Sequence, residues 1–175
     1  MTVDPVSLRE AWSRFASGVA VVATRHQDGG VCGLTANSFT SVSLDPPLAL
    51  VCVARGASTL ACLREAGAFT ASFLAAGQAR VARRFTERRD DKFDGIPTRQ
   101  GVTGIPILEG ALGHVECLVE DEHPAGDHAI VVGRIVAVSA GLSGAEGEGD
   151  GGRSNAGRPL VFFRHGYTTT AGGDG

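Results

Sequence analysis

Apolar and polar positions alternate along the chain in two rhythms, and the switch between them marks the elements. Leu8, Ala11, Trp12 and Phe15 recur at helical spacing behind a Ser7-Leu8-Arg9-Glu10 capping box, so a first helix is expected from about 7 to 18, with one apolar face to bury. The runs at 19–24 and 31–38 flank Asp28-Gly29-Gly30, a turn sequence between β-rich segments that predicts a hairpin. Residues 48–54 are almost continuously apolar after Asp45-Pro46-Pro47, which predicts a strand buried on both faces. A short helix capped by a hydroxyl is expected over 58–66. In 68–74, Phe69, Ala71 and Phe73 alternate with Thr70 and Ser72, as a half-buried strand does. A further helix over about 77–88 gathers Val81, Ala82 and Phe85 on one side and arginines on the other. Residues 89–105 predict a loop, and two long strands at about 111–121 and 129–140 enclose the turn at 123–127. A last strand covers 160–164.

Many strands and few helices in one chain predict a mainly β domain with peripheral helices, its sheet closed or nearly closed into a barrel. The 175 residues, 43% of them hydrophobic, suit a single domain with a full core. Seven of the 17 residues from 141 to 157 are Gly, so this stretch is expected to be a flexible insertion, and the tail after about 170 is expected to be disordered.

Charge narrows the partners. Sixteen basic and 19 acidic residues leave a net charge of −3, which gives no general field for a nucleic acid or an anionic membrane, so any anion must be held locally. The longest apolar runs are far below the roughly 20 residues of a spanning helix. No basic region followed by an apolar stretch opens the chain, so it does not read as carrying a signal peptide, and a cytoplasmic location is expected. Cys32, Cys52, Cys62 and Cys117 form no Cys-x-x-Cys pair and are expected to be separate, inert thiols in a reducing compartment.

Candidate chemistry is concentrated in a few places. Gly147, Gly149 and Gly152 match Gly-x-Gly-x-x-Gly literally, but no helix is expected after them, and three neighbouring carboxylates would repel a pyrophosphate. The segment 33–47 is more informative. Thr35, Asn37, Ser38, Thr40, Ser41 and Ser43 place six hydrogen-bonding side chains between two apolar strands, which suits a ligand with a polar ring edge. A Ser/Thr-rich turn with an exposed strand face accounts for the same residues equally well. Arg55 to Thr59, at the start of a helix, combines free N–H groups, two hydroxyls and a guanidinium, the makings of a phosphate site. Arg80, Arg83, Arg84, Arg88 and Arg89 form a second basic cluster, with a solvated helix face as the alternative. His128 opens a strand after Gly126-Asp127 and can donate to a carboxamide or phosphate. A metal held by His123, Asp127 and His128 is disfavoured, because adjacent strand residues point to opposite faces.

Together these signals resemble, in order and spacing, the short-chain flavin reductases of two-component monooxygenase systems. The marks are Phe15-Ala16-Ser17-Gly18-Val19, the stretch from Thr35 to Leu48, Arg84-Phe85, Gly126-Asp127-His128 with Gly133 five residues on, and Pro159 to Arg164 leading to Tyr167. The resemblance implies an FMN-binding split β-barrel, acting as a homodimer. It further implies that hydride passes from NADH or NADPH to FMN or FAD, and that the reduced flavin leaves for a partner monooxygenase, with at most transient contact. By the same resemblance Thr35, Ala36, Asn37 and Ser38 line the flavin, with Ser41, Val42 and Ser43 close by. Ser58, Thr59, Arg84 and Arg83 hold its phosphate beside Phe85, His128 faces the nicotinamide or the flavin, and Arg164 and Tyr167 close the site. The alternatives are a split-barrel oxidase with tightly held FMN and a non-catalytic flavin carrier or sensor; Gly126-Asp127-His128 speaks against an oxidase of the pyridoxamine type.

Overall fold

The computed structural model describes residues 3–140 and 157–171. The expectations placed on the Gly-rich stretch, its Gly-x-Gly-x-x-Gly match and the tail lie mostly outside these residues. In chain order the elements are α1 (Pro5–Ser13), β1 (Ser17–Gly18), β2 (Ala20–Arg25), β3 (Val31–Ala36), β4 (Thr40–Leu44), β5 (Pro47–Ala54) and α2 (Ser58–Ala66). They continue with β6 (Ala68–Phe73), a 3-10 turn (Ala76–Gln78), α3 (Ala79–Thr86), β7 (Thr98–Gln100), β8 (Pro106–Leu108), β9 (Gly113–Ala125), β10 (His128–Ser139), β11 (Leu160–Phe163) and β12 (Gly166–Thr169).

Seven strands form one antiparallel sheet in the order β3-β2-β6-β9-β10-β5-β4. Its edge strands β3 and β4 are joined by Asn37, Ser38 and Phe39 alone, a link that spans little more than 10 Å even when extended. The sheet must therefore curl until its edges nearly meet. The Ser38 hydroxyl pins the seam, donating to the Cys52 carbonyl (3.0 Å) and accepting from its N–H (3.2 Å) on β5. Inside the curl, Val22, Val51, Val53, Phe69, Cys117 and Val131 pack with Leu60 and Leu63 of α2. A second core under α3 joins Val21, Leu74, Phe85 and Leu160.

Several local expectations are corrected. The first helix starts earlier and is shorter than expected, because Asp4 is its N-cap, accepting from the Ser7 N–H at 2.8 Å, and Pro5 takes the first turn. Its only buried residue is Ser13, and Trp12 is 66% exposed. Helix α2 has the expected bounds, but its N-cap is Ala57, with no capping side chain. Burial on the two strands is exchanged: β5 alternates, whereas β6 is buried on both faces. The cause is β8, which covers the polar face of β6. Thr70 donates to the Pro106 carbonyl (2.7 Å) and Ser72 accepts from the Leu108 N–H (3.1 Å).

Cys32 and Cys62 correct the cysteine expectation, since they form a disulfide between β3 and α2 with a Cα–Cα distance of 6.5 Å. Cys52 and Cys117 stay free, and burial pushes the Cys117 thiol up to about 12.

A buried carboxylate closes the far end of β9. Glu116, 2% exposed, accepts from the Thr103 N–H (2.9 Å), the Thr103 hydroxyl (2.8 Å) and the Val102 N–H (3.1 Å). Burial opposes its ionisation, yet these bonds outweigh burial and hold its pKa below the ordinary 4.5. The unfolded chain then binds this proton more readily than the folded one. The contribution is complete above about 4.5 and is lost as pH falls below it. Glu116→Gln is expected to lower stability at pH 7 by about 1–3 kcal/mol and to flatten the acid limb of a stability–pH profile. Urea titrations between pH 3 and 7 check both effects.

Candidate functional site

Strand β3 and helices α2 and α3 enclose a groove made of three joined cavities. The inner cavity, about 260 Å³, is lined by Val19, Thr35, Asn37, Thr86, Phe162 and Tyr167. A middle cavity of about 670 Å³ shares Thr35 and Thr86 with it and reaches Gly56, Ser58, Thr59 and Lys92. An outer cavity of about 270 Å³ shares Ser58, Thr59, Arg89 and Lys92 with the middle one and ends at His26 and Asp28.

At the inner end the rings of Phe162 and Tyr167 meet edge to face, with centroids 5.8 Å apart, and the Arg83 guanidinium lies 5.7 Å over Tyr167. Burial raises the Tyr167 pKa, opposed by Arg83, so the phenol stays protonated and can donate. The Thr35 hydroxyl is already used, donating to the Ala82 carbonyl at 2.6 Å, which holds α3 against β3. The polar character of 33–47 is therefore partly internal: Thr35 and Ser38 bind the fold together, while Asn37 lines the cavity.

At the middle of the groove the first turn of α2 presents the N–H groups of Ser58 and Thr59, which have no partner within a helix. Facing them is a residue that sequence reasoning missed. Lys92 Nζ donates to the carbonyls of Gly33 (3.0 Å) and Phe85 (3.3 Å), tying β3 to α3, and Lys92 lines the middle and outer cavities together with Ser58 and Thr59. Burial lowers its pKa. No local pattern marks a single lysine inside a loop, so only the tertiary structure could find it.

The other predicted cations divide. Arg84 donates through Nη2 to the Asp91 carbonyl and lines none of these cavities; its Nε is buried without a partner among the described residues. Arg89 pairs with Asp91 and Glu87, and this pairing lowers Asp91 to about 2. Arg164, at the β11–β12 turn, packs its guanidinium 5.3 Å over Phe163, away from the groove. Phe85 lines the middle cavity. Ala36 is buried in the core and can offer only backbone. Ser41 lines an apolar cavity of about 400 Å³ with Phe39, Phe73 and Leu112, which adjoins the inner cavity at Val19. Val42, half exposed, and Ser43 line neither this cavity nor the groove.

His128 lies at the same end of the sheet as the α2 N-terminus. It is in register with Ala54, the Arg55 N–H donates to the Asp127 carbonyl (2.9 Å), and Asp127 Oδ1 is 2.7 Å from His128 Nδ1. That contact lowers the Asp127 pKa. Its imidazole lines none of the three cavities, because His128 alternates with the core residues Ala129 and Val131 and so faces outward.

Residues 12–171 match the flavin reductase like domain. The chain belongs to the flavin reductase family. It is 44% identical over 137 residues to an NADH-dependent flavin reductase of Rhodococcus, covering 76% of each chain. It is 35% identical over 166 residues to the reductase subunit HsaB of a flavin-dependent monooxygenase from Rhodococcus jostii, covering 95% of this chain and 78% of the other. A Rhizobium meliloti protein named Probable flavin reductase is 42% identical over 142 residues, and this family member spans only 46% of its length. Among solved structures, an NADH:FAD oxidoreductase of Streptomyces globisporus, in complex with NAD and FAD fragments, superposes with a TM-score of 0.83 at 33% identity, covering 98% and 97% of the two chains. Nitrilotriacetate monooxygenase component B of Mycobacterium thermoresistibile gives 0.84 at 33%, covering 95% and 86%. The split-barrel fold expected from the sequence is thus the family's own. Within the described residues, no helix is long and apolar enough to cross a membrane.

Proposed function

We propose that this family member is an NAD(P)H-dependent flavin reductase that passes hydride from a reduced nicotinamide to FMN or FAD and supplies the reduced flavin to a partner monooxygenase. The observation that carries this reading is the continuous groove, which joins an amide- and aromatic-lined end to a helix N-terminus faced by a lysine. Those ends match the two chemistries of a flavin, a planar ring with a polar edge and a phosphate tail. Bound there, the flavin supplies a ring that takes up and gives up hydride. The protein's own work is positional. Asn37 and Tyr167 contact the ring edge, Thr35 fixes the groove wall, and Ser58, Thr59 and Lys92 take the phosphate, with Arg83 stacked behind Tyr167. Expelling water from the inner cavity strengthens the polar contacts of Asn37 and Tyr167.

The outward direction of His128 fits a homodimer. On the outer face of β10 it is followed by Ile130 and Val132, and Cys52 and Leu50 of β5 stand beside them in register. Val42 on β4 and Leu118 on β9, the latter in register with Arg134, are exposed, so the outer face of four neighbouring strands carries apolar side chains that a second copy would cover. In such a pair His128 serves the nicotinamide. His128→Ala is expected to raise the nicotinamide KM about 10-fold while changing the flavin Kd less than twofold. Steady-state rates with NADH and added flavin, beside a flavin titration, check this. Equal losses in both remove His128 from the nicotinamide site, and no flavin-dependent NADH oxidation by the unaltered protein rules out the reductase.

A further inference from the structure

The Cys32–Cys62 disulfide stands where the groove's two walls meet. Cys32 is on β3, three residues before Thr35, and lines the outer cavity with Ser58, Thr59 and Lys92. Cys62 is on α2, one turn beyond Ser58, and is 3% exposed. The bond thus ties the strand that carries Thr35 to the helix whose N-terminus faces the phosphate position. One sulfur belongs to a half-buried residue at a cavity open to solvent; the other is shut in the core.

We propose that Cys32–Cys62 is a thiol-exchange site that sets how firmly the phosphate end of the groove holds its ligand. A thiolate of a small dithiol enters by the outer cavity and bonds to Cys32 Sγ, and Cys62 leaves as a thiolate that takes up a proton. The reductant's second thiol then displaces Cys32, so the protein gains two thiols and the reductant becomes a disulfide, a two-electron exchange. Peroxide reverses it, two thiols and hydrogen peroxide giving the disulfide and two waters. With the bond closed, α2 is held against β3 and its first turn is preorganised; with the bond open, the helix start is free to move. The effect on flavin rests on the reductase reading, whereas the exchange itself rests only on the two cysteines.

Native protein is treated with dithiothreitol, excess reagent is removed without oxygen, and thiols are counted by alkylation and mass spectrometry. Labelling of Cys32 and Cys62 without denaturant is expected; a bond that opens only in denaturant overturns the exchange site. With oxidised glutathione, Cys62→Ser is expected to take an adduct at Cys32, while Cys32→Ser takes none at Cys62. The reverse preference overturns the assigned point of attack. The FMN Kd, read by fluorescence quenching, is expected to be about 3- to 10-fold weaker in the reduced protein and in Cys32→Ser, and that variant is expected to ignore dithiothreitol. Equal Kd values in the oxidised and reduced forms overturn the control of binding. Failure of every form to bind FMN overturns the flavin reading instead, and the thiol count still decides the exchange.

Discussion

Gly133→Ala is expected to lower the unfolding free energy by about 3 kcal/mol, at the upper end of what overpacking a core costs. A Cβ at this position would lie 2.6 Å from a ring carbon of Phe69 and 2.7 Å from Cβ of Cys117. Both neighbours are fully buried, and the Cys117 Cβ moves only with its strand. The register of β9 and β10 shifts between Val132 and Gly133, so the glycine sits where the ladder is already irregular and Phe69 fills the space beneath it. With a slope of about 2 kcal/mol per M, the urea midpoint should fall by about 1.5 M. Gly77→Ala, where an added Cβ meets nothing, should leave the midpoint within about 0.3 M.

Lys92→Met is expected to weaken FMN binding about 10- to 100-fold, the range for losing a hydrogen bond to a charged group. Riboflavin has the same ring without the phosphate, and its affinity should change less than twofold. The comparison matters because Lys92 also ties β3 to α3 through the Gly33 and Phe85 carbonyls. If the variant merely loosened the groove, both ligands would suffer alike. Lys92→Arg, which keeps the charge, should recover part of the FMN affinity and none of the riboflavin difference.

The sequence carried the elements better than their surroundings. The bounds of α2 and the presence of the first hairpin follow from local pattern and turn chemistry, and the structure reproduces both, although β3 ends at Ala36 and not at Ser38. The faces of β5 and β6 did not follow, because Thr70 and Ser72 look solvent-facing until β8, some 35 residues on, arrives to use them. The same limit applies at the site. A run of hydroxyls after β3 pointed to the right wall of the groove, yet Thr35 and Ser38 spend their hydrogen bonds on Ala82 and Cys52. Periodicity placed arginines on α3 but could not say that Arg83 turns to Tyr167 while Arg84 turns to the Asp91 carbonyl. Lys92 and the Cys32–Cys62 bond depend on contacts between segments far apart in sequence, where no spacing rule reaches.

Thr86 stands where the inner and middle cavities join, and its hydroxyl bonds only within α3, to the Arg83 carbonyl. An indole in its place should obstruct the passage between ring and phosphate positions without disturbing the core. The decisive measurement is flavin-dependent NADH oxidation by Thr86→Trp beside the unaltered protein, with thermal unfolding as a control. A loss of at least 20-fold in rate at limiting flavin, at an unchanged Tm, is the predicted result. Full activity in a folded Thr86→Trp protein would contradict the placement of flavin reduction in this groove.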